Sequence, residues 1–130
     1  MKKKGSVSEY SEERDRELVR CFRKRLGEVR VIDLDKIFAE VAAHPASRFY
    51  VSEFRAAIVI RHHLRHGVWS VKGAKRLEMF QEIEKRVVGL MESRSDLSLD
   101  DALVEVINSE APEFYLTPRS CRTIIYKLLK

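Results

Sequence analysis

The chain has no apolar run near the roughly 18 residues that a membrane-spanning helix requires, so no membrane partner is expected. No stretch of useful length alternates apolar and polar residues, which argues against a sheet. Cysteine is scarce. Cys21 and Cys121 both fall within predicted helices, in a spacing unlike a disulfide framework, and this fits a reducing, cytoplasmic setting. Met1-Lys2-Lys3-Lys4-Gly5 is basic but is followed by no apolar segment, so a signal peptide is not expected. Glycine-rich phosphate loops, G-x-S-x-G, H-E-x-x-H and any suggestive Cys/His spacing are all missing. Asp100-Asp101 stands at a predicted helix start, where capping accounts for it. The expectation is a protein that is not an enzyme and that needs no cofactor and no metal.

Forty-five per cent of the residues are hydrophobic and 35% charged, a composition able to fill a core. The strongest signal is internal. Residues 34–60 recur 65 positions later as 99–125, without a gap. Leu34/Leu99, Asp35/Asp100, Glu40/Glu105, Val41/Val106, Ala46/Ala111, Phe49/Phe114, Tyr50/Tyr115 and Ile60/Ile125 are identical. Such a pattern reads as a tandem duplication.

Each copy reads as three helices. Ser11, followed by Glu12-Glu13, is the expected cap of the first, whose face is Leu18, Phe22, Leu26 and Val29. Asp33 caps a second helix with Leu34, Ile37, Phe38, Val41 and Ala42 as its stripe. Ser98 caps its counterpart, striped by Leu99, Ala102, Leu103, Val106 and Ile107. Linkers ending in Phe49-Tyr50-Val51 and Phe114-Tyr115-Leu116 lead to third helices capped by Ser52 and Thr117, with Pro118 at the first helical position. Copy two's first helix is expected over about Ala74–Ser93, and its third is expected to turn Cys121, Ile124, Ile125 and Leu128 inward. The predicted fold is all-α: a flexible tail at 1–10, one three-helix repeat at 11–66, a connector at 67–73 and a second repeat at 74–130. The repeated Phe-Tyr pair is read as structural, with Phe plugging the gap between helices two and three and Tyr spanning the boundary with its hydroxyl satisfied.

The net charge of +5 is unevenly spread. Residues 61–76 carry five Lys/Arg and no acid, with three of the four histidines. Residues 77–130 carry seven Lys/Arg against ten Asp/Glu. His62 and His66 are four apart on a helix, a spacing open to a metal, but neighbouring arginines disfavour a cation. Basic residues interleaved with the single tryptophan suit phosphates and a base instead. The candidate nucleic-acid contacts are Arg55, Arg61, His62, Arg65, His66, Trp69, Lys72, Lys75 and Arg76, with duplex DNA as the expected partner. The alternative is a protein-interaction module or homo-oligomeric adaptor, docking a partner or a second copy through the acidic second repeat.

Three helices followed by a copy of themselves resemble tandem helix-turn-helix modules in topology, although the Myb tryptophan pattern is absent and the linker is longer than their tight turn. Pro45-Ala46-Ser47-Arg48-Phe49-Tyr50-Val51-Ser52-Glu53-Phe54-Arg55-Ala56 carries a more specific likeness. With Met79-Phe80-Gln81-Glu82-Ile83 and Ala111-Pro112-Glu113-Phe114-Tyr115-Leu116-Thr117-Pro118, it resembles small basic proteins of gut bacteria and their mobile elements. That resemblance implies a bacterial origin and carries no functional residue across.

Overall fold

Four hydroxyl or carboxylate caps set the helix starts. Asp33 Oδ1 accepts from the Lys36 N–H at 3.3 Å, and Ser52 Oγ from Arg55 at 3.0 Å. Ser98 Oγ accepts from Asp101 at 3.1 Å, and Thr117 Oγ1 from Ser120 at 3.0 Å. Each satisfies one of the first-turn N–H groups that a helix leaves unpaired. All four are the residues that the sequence nominates.

The computed structural model describes residues 3–130, with side chains from Tyr10 onward. Among these the elements are α1 (Lys3–Glu28), α2 (Leu34–Ala42), α3 (Glu53–His66), α4 (Ala74–Ser93), α5 (Leu99–Ile107) and α6 (Pro118–Leu129). The fold is all-α, and no helix among the described residues is long and apolar enough to cross a membrane. Helix α1 differs from expectation at its start. Met1 and Lys2 lie outside the described residues, but Lys3 to Tyr10 are helical rather than a flexible tail. No proline occurs before Pro45, so nothing breaks the helix at Ser11, which sits within it rather than capping it.

The helices group differently from the two repeats. Unit one comprises Met1–Ala46 and Ala111–Lys130, hence α1, α2 and α6; unit two is Ser47–Glu110, hence α3, α4 and α5. The boundaries expected at 11–66 and 74–130 therefore do not coincide with the compact units, because the third helices are exchanged. The buried stripes of α2 and α5 occupy equivalent positions along the two segments. Ala46 donates its N–H to the Ala111 carbonyl at 3.0 Å and Ala111 returns the bond at 2.9 Å, an antiparallel pair between equivalent repeat positions.

Within unit one, α1 contributes Leu18 and Phe22, α2 contributes Ile37, Phe38, Val41 and Ala42, and α6 contributes Cys121 and Ile125, all buried. Phe22 stacks on Phe38 at 5.4 Å between ring centroids, and Tyr126 meets Phe38 edge-on at 5.6 Å. Arg25 Nε donates to Glu40 Oε1 at 2.7 Å, tying α1 to α2 and holding the Glu40 carboxyl below its usual range. Leu128, expected inward, is half exposed beside Val19 and Arg23. Phe114 is buried and donates its N–H to the Ala42 carbonyl at 3.3 Å.

Unit two repeats that bond 65 residues away: buried Phe49 donates its N–H to the Ile107 carbonyl at 3.0 Å. Its core is Phe49, Val51, Ala56, Val59, Ile60, Met79, Phe80, Ile83, Val87, Ala102, Leu103, Val106 and Ile107. Gly67 closes α3 in the left-handed conformation (φ 74°), where its N–H reaches the His63 carbonyl at 2.8 Å.

Candidate nucleic-acid interface

All nine predicted contact residues belong to unit two. Helix α3 positions five of them. Its buried residues are Ala56, Val59 and Ile60, and a helix advances 100° per residue, so the outward side is set. Phe54, Ile58, Arg61 and Arg65 form one outward row at helical spacing, and Arg55, His62 and His66 form the row beside it. Phe54 is 75% exposed and Ile58 49%, so apolar groups lie among the cations. The His62 and His66 rings are 4.7 Å apart, as the four-residue spacing suggests. Among the described residues no group of three or more His, Cys, Asp or Glu is placed to hold a metal ion.

His63 is different. It continues the inward stripe seven residues after Ala56, and its Nδ1–H donates to Glu84 Oε2 of α4 at 2.6 Å. Trp69 stacks on the His63 ring, with centroids 3.9 Å apart and planes 9° from parallel. One face of the indole is thus covered by the protein itself. Trp69 fixes the loop after α3 more directly than it offers a platform for a base. Neither His63 nor Glu84 stands among the residues nominated from sequence, although the seven-residue step from Ala56 is a signal that puts His63 on the inner side.

The cations are not equivalent. Arg61 donates to Asp100 Oδ1 at 2.8 Å, and Lys75 lies 3.4 Å from Glu78 Oε1. Both carboxylates come from the acidic second copy. The Arg76 guanidinium lies 5.9 Å from the centre of the Phe80 ring. Arg55, Arg65 and Lys72 are exposed and make no ion pair among the described residues.

The charge distribution also departs from the expectation. Unit two holds ten Lys/Arg and ten Asp/Glu, a net charge of zero, because α4 and α5 bring their acids to the unit that contains the connector. Unit one holds fifteen Lys/Arg against ten Asp/Glu and carries the whole +5. The excess at residues 61–76 is thus offset within its own unit. No family model, curated protein or solved structure matches the chain.

Proposed function

We propose that this is a non-enzymatic nucleic-acid-binding protein that takes duplex DNA on the outward side of α3 and the loop that follows it. The observation carrying this reading is the double row on α3, where Arg55, Arg65, His62 and His66 flank exposed Phe54 and Ile58 without acid partners. The two arginines neutralise phosphates and displace counterions, the imidazoles offer ring N–H donors, and apolar groups on the same side suit thymine methyls. The test is a titration of a fluorescent 20-base-pair duplex at two salt concentrations, with wild type and an Arg55→Glu/Arg65→Glu/Lys72→Glu variant. Wild type should bind more weakly as salt rises, and the variant should lose roughly one unit of salt slope for each phosphate contact removed. Undetectable duplex binding at low salt overturns the reading.

A protein partner on the same side of α3 is the second reading. It is favoured by the exposure of Phe54, Ile58 and Leu64 on a single helix. Phe54→Ala separates the two through the salt slope of duplex binding, which loss of an apolar contact leaves unchanged, whereas a protein partner loses a central apolar anchor.

A further inference from the structure

We propose that the outward face of α6 is a second duplex-DNA surface, which grips the sugar-phosphate backbone without reading bases. Cys121 and Ile125 are buried, so Arg119 and Lys127 fall opposite them, Arg122 and Tyr126 lie on one flank, and Lys130 caps the helix end. Residues 118–130 contain four Lys/Arg and no acid. All four cations are exposed, and none makes an ion pair among the described residues.

Three further observations point to a polyanion. Arg119 and Arg122 lie in or next to the first turn of α6, which holds no acid, although a helix N-terminus disfavours cations. Helix α3, by contrast, has Glu53 in its first turn. Second, the Arg122 guanidinium lies 5.5 Å from the centre of the Tyr126 ring, and that ring rests edge-on against buried Phe38. The arginine is therefore held by a fixed platform and loses less freedom on binding. Third, α6 belongs to the unit that carries all the net positive charge. From Arg119 to Leu129 the helix rises about 15 Å, a length that meets several phosphates of a duplex.

This inference rests on the nucleic-acid reading above, and the experiment separates the two. The full chain is titrated with the same 20-base-pair duplex between 50 and 200 mM salt (about the range over which phosphate contacts show). The comparison is with Arg119→Glu/Arg122→Glu/Lys127→Glu/Lys130→Glu and, as a gentler form, with alanine at the same four positions. Circular dichroism checks folding, and the alanine form decides the matter if charge reversal unfolds α6. Removing all four cations should lower the salt slope by about three to four and affinity by more than tenfold at the lower salt. An Arg119→Lys/Arg122→Lys variant should retain the slope, since backbone neutralisation needs charge alone. Wild-type binding with an unchanged slope in the alanine variant overturns this inference and leaves the α3 reading standing. Absence of wild-type binding removes both.

Discussion

The two units share a plan and differ in how they treat charge. Each is three helices, two from one half of the chain and the third from the other, and each closes with the same backbone bond from a linker phenylalanine: Phe114 to Ala42 and Phe49 to Ile107. In unit two the cations of α3 and α4 are partly met by acids, as in Arg61 with Asp100 and Lys75 with Glu78. In unit one the position equivalent to Arg61 is Tyr126, which supports Arg122, and the cations of α6 make no ion pair among the described residues. Charge is therefore divided between the units by the exchange of third helices. A count along the chain does not show this.

The largest effect should come from cutting the chain in two different ways. Residues 47–110 contain every helix of unit two and should fold alone with a cooperative melt. Residues 11–66 contain α2, α3 and most of α1 but leave α2 without α6, and should show little helix by circular dichroism. A folded 11–66 fragment alongside an unfolded 47–110 fragment would break the comparison and restore the boundaries suggested by the repeat.

The two linker phenylalanines provide the next test. Phe49 and Phe114 are 1% and 5% exposed, so Phe→Ala should cost about 3 to 5 kcal/mol at either site through lost burial and a residual cavity. Phe49 carries the Arg86 guanidinium 5.2 Å from its ring centre. A double-mutant cycle of Phe49→Leu with Arg86→Met should therefore give a coupling of about 0.5 to 1 kcal/mol. Urea denaturation of the single and double variants measures it, and a coupling near zero would show that the cation contributes nothing through the ring.

A smaller effect separates Cys121 from Ala56, its counterpart. Burial raises the Cys121 thiol from its ordinary value near 9 to about 11, with Cys21 adding to the shift. The folded state thus keeps its proton at a pH where the unfolded chain has released it. The contribution of this group is fully present below pH 9 and is lost as pH rises from 9 toward 11, up to about 2 kcal/mol. Cys121→Ala should be less sensitive than wild type over that window when stability is measured by denaturant at each pH. Parallel curves would mean that the thiol titrates alike in both states.

Much of this architecture is legible from residues alone. The four caps and the stripes of α2 and α5 lie where spacing puts them, because capping and amphipathic burial are local. The grouping of α6 with α1 and α2, and of α3 with α4 and α5, is not local, and equivalent stripes leave it undetermined in the sequence. At the candidate interface, helical spacing finds the outer rows of α3. It does not reveal the inward turn of His63 to Glu84, since a histidine amid arginines looks like one more exposed cation. The α6 face is hidden in sequence because the acids of α4 and α5 mask it in the charge of residues 77–130.

The smallest predicted effect sharpens the comparison most directly. Asp100 and Asp35 are equivalent first-turn acids of α5 and α2, but Asp100 pairs with Arg61, whereas Asp35 makes no ion pair among the described residues. Changing either to Asn adds the same charge and removes the same favourable helix-end interaction. The difference between the two variants therefore isolates the release of Arg61. The pair is about half exposed, so the two stabilities should agree within about 0.5 kcal/mol. In duplex titrations, Asp100→Asn should steepen the salt slope by roughly one relative to Asp35→Asn, as one more cation becomes free to meet a phosphate. Equal slopes would mean that Arg61 does not face the nucleic acid, and the outward row of α3 would then have to be redrawn around Arg55 and Arg65.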